Sequence, residues 1–235
     1  MSTETLSKEL KPYTIETLKT KMCIPADASR EEIEQTFERV AEVLKNNCII
    51  KYMNEEYRIL EFEFYFYNMN HQDISVHPRN SQALCWYIND FGGIDLNFES
   101  KINKSEKIPF KYELTDGAYF GGILIRQIQR LSDKFIYDGP LKVAELFRIL
   151  DATTQQQQNP VLKMGNLDTI DFLQPQRRKN LLGNHKGSNE DKAKAKANYN
   201  LQECFTGVDD VQKHKLEIEL ASFCESKYRY CWRSS

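Results

Sequence analysis

Eight residues, Arg58-Ile59-Leu60-Glu61-Phe62-Glu63-Phe64-Tyr65, constrain this chain more than any other stretch. β-Branched and aromatic side chains without Gly or Pro are the composition of a strand. Strand side chains alternate, so Glu61 and Glu63 share one face while Phe62 and Phe64 take the other. Burying carboxylates without partners costs several kcal/mol, so this same-face pair must be solvated, ion-paired or chemically employed. An antiparallel strand with one wet face satisfies the run equally well.

The flanking sequence predicts an α+β fold in a single domain. Its main feature is a curved, mainly antiparallel sheet with helices at the margin. Ser29-Arg30-Glu31-Glu32 has the S-x-x-E form of a capping box, and Ile33, Phe37, Val40, Ala41 and Leu44 follow at helical spacing. A helix over 30–46 is expected, so residues 1–46 read as a helical extension packed on a domain of 47–235. Strands are expected at Cys48–Met53, Tyr57–Tyr67, Leu84–Ile88, Ile94–Phe98, Ile108–Leu114 and Tyr119–Ile128. Gly121-Gly122 inside the last implies a bulge or a close backbone approach. Asp138-Gly139-Pro140 opens a second helix with apolar face Leu141, Ala144, Leu146 and Leu150. Gln155–Gln158 reads as a surface loop, and 211–232 is ambiguous between helix and strand.

The chain has 235 residues, and 40% hydrophobic residues are enough for a sizeable core. A formal net charge of -2 gives no global attraction to polyanions, so a nucleic-acid site must be a local patch. The one basic segment of consequence lies within 174–197, where Arg177, Arg178 and Lys179 lead Lys186, Lys192, Lys194 and Lys196. It is either a solvated loop or a phosphate-contacting surface. No apolar run approaches a membrane span, and MSTETLSKELKPY lacks the apolar core of a signal peptide. An intracellular monomer is expected. Six cysteines without a CxxC pair and four dispersed histidines imply reduced thiols, no metal site and no cofactor.

Downstream of the glutamate pair come Asp73-Ile74-Ser75-Val76-His77, Trp86-Tyr87-Ile88 and Asp95-Leu96-Asn97-Phe98. Ile123-Leu124-Ile125-Arg126 and Asp138-Gly139-Pro140-Leu141-Lys142 follow. In this order and at these separations the motifs resemble the 3-methyladenine (alkyladenine) DNA glycosylase family. That family has a strand of the form R-I-V-E-T-E-A-Y, a D-x-A-x-H segment, a Y-x-Y strand with an asparagine ten residues on, an L-L-R strand and a G-P-x-K helix start. The resemblance covers about 58–150 and implies the glycosylase-like fold, also likened to a formyltransferase C-terminal domain.

It further implies a monofunctional DNA N-glycosylase that removes a damaged or modified purine-type base by water attack. Glu63 would be the general base and Arg126 its positioning partner. Tyr65, His77 and Tyr87 would line the base pocket, with Asn97 as its gate. Such chemistry suits these residue types, since a carboxylate both stabilises a cationic sugar and takes a proton from water. No lysine matches a Schiff-base nucleophile.

One departure stands out. The family's tyrosine wedge aligns with Asp90, next to Phe91, and an anion pushed between phosphate strands is repelled. Single-stranded or distorted DNA is therefore the expected partner. The competing reading is a nucleic-acid or nucleotide-binding protein that keeps the fold without catalysis. A hydrolase bracketing its bond with Glu61 and Glu63 is disfavoured, because carboxylates two apart on one strand lie on one side of a substrate.

Overall fold

Fourteen residues, Glu55–Asn68, run as one strand through the middle of the molecule, and the chain on either side is arranged around its two faces. The computed structural model describes residues 13–88, 92–154, 159–179 and 187–233. In chain order the elements are α1 (Ile15–Lys21), α2 (Arg30–Asn47), β1 (Cys48–Tyr52), β2 (Glu55–Asn68), β3 (His71–Gln72), β4 (Trp86–Ile88), β5 (Ile94–Asn97), β6 (Asn103–Lys104) and β7 (Tyr112–Glu113). Then follow β8 (Phe120–Arg130), β9 (Ile136–Asp138), α3 (Pro140–Thr154), β10 (Val161–Met164), α4 (Asn189–Tyr199), a π-helical turn at Asn200–Cys204, β11 (Phe205–Thr206), α5 (Asp210–Glu225) and β12 (Arg229–Cys231).

The fold is α+β with a curled antiparallel sheet. Among the described residues nine strands form that sheet, with backbone order β10-β1-β2-β8-β5-β4. β3 and β12 extend the pairing of β2, and β9 that of β8. β6, β7 and β11 make a separate small sheet. No helix among the described residues is long and apolar enough to cross a membrane.

The alternation of β2 sorts the interior into two clusters. Phe62, Phe64 and Phe66 join α2, β1 and α3 in the larger one, where Phe64 stacks on Phe37 at 4.5 Å and Phe62 on Tyr230 at 5.3 Å. Tyr65 and Tyr67 face the other way, toward Ala193 and Ala197 of α4 and Leu216 and Leu220 of α5. α2 begins at the expected capping box, with Ser29 and Glu32 exchanging hydrogen bonds. Six of its side chains are buried in the core.

Several elements differ from expectation. α1 forms where the sequence pattern predicts no helix, and Thr14 and Thr17 close it in a capping box. The strand expected over Ile108–Leu114 shrinks to Tyr112–Glu113, because Phe110 is 89% exposed and the segment has no long partner. In α3 the buried residues include Val143, Ala144 and Phe147, while Leu141 is exposed. The basic segment is partly helical: Ser188 caps α4 through Asp191, the same S-x-x-acid signature that marked α2. The ambiguity over 211–232 resolves as a helix followed by a strand. Gln155–Gln158 lie outside the described residues.

Gly121 gives the close approach expected of it. A Cβ there would fall on the Tyr65 carbonyl oxygen and 2.9 Å from Phe66 Cα, both backbone atoms that cannot swing aside. Gly121→Ala is expected to destabilise the protein by about 2–3 kcal/mol, read as a lower urea midpoint. His71 supplies a pH dependence. It is buried against Phe223 at 4.5 Å, and burial pushes its pKa down to about 4. The unfolded chain, with histidine near 6.5, then binds the extra proton between those values. Stability should fall by up to about 3 kcal/mol as pH drops from 6.5 to 4. Urea titrations at pH 7 and 4.5 should show this loss, and His71→Gln should reduce it.

Candidate functional site

Opposite residues in an antiparallel ladder share a face, so register alone assembles the site. Glu63 pairs with Leu124, Leu124 with Asp95, and Asp95 with Tyr87, making one row across β2, β8, β5 and β4. Tyr65, Gly122 and Asn97 make the next row. Residues as far apart in sequence as Glu63 and Leu124 therefore sit on one sheet face. Glu63 and Tyr87 lie three strand spacings apart, roughly 14 Å along the sheet.

Glu63 is fully buried and is held by three donors. Tyr65 Oη donates to Oε2 at 2.9 Å, Arg126 Nη1 to Oε2 at 3.2 Å, and the Lys179 backbone N–H to Oε1 at 2.5 Å. Arg126 reaches Glu61 as well, through Nε at 2.9 Å. Its position in the ladder explains this reach: the β2–β8 register skips Leu60 and Arg126, an irregularity that turns the guanidinium toward both carboxylates. Burial opposes the charge of Arg126, but Glu63, Tyr65 and Glu61 outweigh it and raise its pKa. Burial first and the adjacent Glu63 second keep the Tyr65 phenol well above its ordinary pKa, so it remains a donor. Glu61 also accepts from Arg229 Nε at 2.8 Å.

Above Tyr65 the structure places two cations. Arg178 Cζ lies 4.5 Å from the ring centroid and Lys196 Nζ 4.4 Å from it. Arg178 is itself buried. Its Nη1 donates to Asp73 Oδ2 at 2.5 Å and to the Phe64 carbonyl at 3.3 Å, and Nη2 donates to the Phe223 carbonyl. Burial favours a neutral Asp73, but the charge and hydrogen bond of Arg178 prevail and hold that carboxyl below its usual pKa. The other wall of the site starts at His77, which stacks on Tyr87 with centroids 5.8 Å apart. Arg79 lies over Tyr87 at 4.4 Å and pairs with Asp95 at 2.7 Å. Its Nη2 occupies the space over Gly122, where a Cβ would be 2.8 Å from it. Asn97 donates to Ser81 Oγ at 2.6 Å, while its buried Oδ1 has no hydrogen-bond partner among the described residues. A cleft of about 480 Å³ opens beside this wall, lined by His77, Tyr87, Tyr112, Tyr199, Phe110 and Lys104 among others.

The expected site residues thus fall in three groups. Glu63, Tyr65 and Arg126 touch one another, Asn97 occupies the neighbouring row, and His77 and Tyr87 form the cleft wall beyond Arg79. Asp90 and Phe91, the expected wedge position, lie outside the described residues. The phosphate-contact group is corrected at Arg178, because a residue 2% exposed and paired with Asp73 offers nothing to a phosphate. Arg177 is exposed but pairs with Glu225, and Lys179 Nζ stands 3.8 Å from Glu61. Arg79, Asp95, Asp73, Arg229 and Lys196 join the site although the sequence alone does not mark them as members of it. Asp73 and Asp95 stood inside quoted motifs, whereas nothing local marks Lys196. Among the described residues no group of His, Cys, Asp or Glu is placed to hold a metal ion.

No family model matches the chain, and no solved structure matches it. A search of curated proteins finds similarity to uncharacterized protein L759 of Acanthamoeba polyphaga mimivirus, 32% identical over 119 residues. That match covers 46% of this chain, and the chain spans about half the length, 54%, of this relative.

The Arg178–Asp73 pair gives a stability test. Removing one member of a buried ion pair strands the other charge, so Arg178→Met should cost about 3–5 kcal/mol in urea unfolding. The double variant Arg178→Met/Asp73→Asn should be more stable than Arg178→Met alone, because the stranded carboxylate is gone.

Proposed function

We propose that this protein hydrolyses the N-glycosidic bond of a damaged or modified purine-type base in DNA, on a glycosylase-like fold, with Glu63 as general base. One observation carries this reading. The cross-strand register brings Glu63, Tyr65 and Asn97 into adjacent rows of one face, and Arg126 reaches Glu63 from the bulge of β8. These are the same positions on which the resemblance to alkyladenine glycosylases rests.

In this reading Glu63 takes a proton from the attacking water while its charge steadies the cationic sugar. Arg126 and the Lys179 N–H fix the orientation of the carboxylate, and Arg126 also neutralises Glu61, so that a second negative charge does not compete. The buried Asn97 Oδ1 is an acceptor awaiting an N–H from the edge of the base. His77 and Tyr87 offer stacked aromatic surface to a base leaving the duplex, worth ~1–3 kcal/mol for each base stacked. Entry to Tyr65 requires α4 to withdraw, since Lys196 covers that ring. Single-stranded or distorted DNA, from which extrusion costs least, is the preferred substrate.

The complete burial of Glu63 and the cations over Tyr65 favour a second reading, a binding protein without catalysis. One pair of variants separates them. With a panel of oligonucleotides carrying modified bases, followed by alkali to reveal abasic sites, Glu63→Gln should lose base release by on the order of 10²–10⁴-fold while keeping DNA affinity. No release of any base by the wild type, or full release by Glu63→Gln, would overturn the assignment.

A further inference from the structure

α4 carries five residues with positive or small side chains in alternation, Lys192 to Lys196, and they do not share one environment. Lys194 is exposed and pairs with Glu190 at 2.8 Å. Ala193 and Ala197 are buried in the cluster that contains Tyr65. Lys196 lies on that inward side, half-buried, with Nζ 4.4 Å from the Tyr65 ring centroid. Asn200, one turn on, donates to the carbonyls of both Ile74 and Val76 at 2.9 Å and ties the end of α4 to the segment leading into His77. The phenol of that same tyrosine donates to Glu63. A primary amine, an aromatic ring and a carboxylate therefore adjoin one another beneath α4.

We propose that Lys196 is the nucleophile of an abasic-site lyase activity. The inference rests on the reading of this pocket as one that takes an extruded nucleotide, and it departs from the expectation of a monofunctional enzyme. The ammonium occupies the ring face on which a base would stack. A nucleotide that still has its base displaces it, whereas one whose base is gone leaves the lysine in place, with C1′ of the sugar in the vacated space. The ring-opened abasic deoxyribose carries an aldehyde at C1′, the electrophile that a lysine amine attacks. Burial, opposed mainly by the charge of Asp95, brings the Lys196 pKa down to about 8, so neutral amine is accessible near physiological pH.

The step balances without an added reactant. The amine lone pair adds to C1′, and the carbinolamine loses water to form a C=N bond. Glu63 takes a proton from C2′, and the C3′–O bond breaks with its electron pair leaving on the 3′ phosphate. Water then hydrolyses the imine, releases the unsaturated sugar end and restores the amine. Glycosylase action supplies the abasic substrate that this second step consumes.

The test uses the full chain and an oligonucleotide with one abasic site, made by enzymatic removal of uracil, so that it needs no prior base release. Wild type with sodium borohydride should give a covalent protein–DNA adduct on a denaturing gel, and without borohydride a cleaved strand. Lys196→Ala should give neither. Lys196→Arg keeps a cation over Tyr65 but cannot form the imine, so its loss of adduct with an unchanged melting temperature excludes misfolding as the cause. Glu63→Gln should still be trapped, since reduction needs only the imine. Absence of an adduct in the wild type, or an undiminished adduct in Lys196→Arg, would overturn the proposal. The glycosylase reading fails separately, when no modified base is released although the abasic adduct forms.

Discussion

Four buried carboxylates, Glu61, Glu63, Asp73 and Asp95, set the terms for the rest of the fold. None can be left unpaired where it sits, because stranding a charge in a pair of this kind costs several kcal/mol. Each therefore draws a cation from a distant part of the chain. Arg126 comes from β8, Arg79 from the loop before β4, Arg229 from β12, and Arg178 from the segment after β10. The tertiary course of the C-terminal third follows from this requirement. Residues 176–179 must lie along the sheet for Arg178 to reach Asp73 and for the Lys179 N–H to reach Glu63. β12 must pair with β2 beside Glu61 for Arg229 to serve it. Charge matching of this sort adds little net stability compared with an apolar core, but it allows few alternative arrangements.

Those interactions also explain what the sequence revealed and what it hid. The alternation of Glu and Phe in β2 is a local property, and it correctly separated a carboxylate face from an aromatic one. The capping box at Ser29 is equally local, and α2 starts there. The partners of the carboxylates are not local. Arg178 and Asp73 are separated by 105 residues, and Arg229 and Glu61 by 168. No spacing rule distinguishes Arg178, buried against Tyr65, from Arg177 beside it, which faces solvent and Glu225. A basic run read from composition looks like a solvated or phosphate-binding surface, although one of its members is among the largest fully buried side chains. The same difficulty hid Lys196. Its surroundings are created by the docking of α4, and the apolar support for that docking is two alanines, too small to register as a hydrophobic stripe.

A site so thoroughly paired trades access for precision. Three donors fix Glu63 to one orientation, which is what electrostatic preorganisation requires, and the low dielectric around it strengthens each contact. The same donors leave no exposed edge of the carboxylate. Access must then come through α4, whose Lys196 covers the Tyr65 ring. Its contribution to the cluster is Ala193, Ala197 and one lysine stem, while the strands beneath it are locked by long ladders. The π-helical turn after α4 is consistent with this division, since such turns break the regular ladder and often occur at functional sites.

The charge inventory around Tyr65 points to the character of what belongs there. Asp73 and Asp95 are each matched by one arginine, and Glu61 and Glu63 share Arg126, with Arg229 on Glu61 as well. Lys196 beside the Tyr65 ring and Lys179, 3.8 Å from Glu61, add two further cations to this side of the site. Lys196 places its positive charge next to the aromatic ring rather than across an exposed face. In the proposed reading this grouping of cations and an aromatic ring would face the anionic backbone and the ring of an extruded nucleotide.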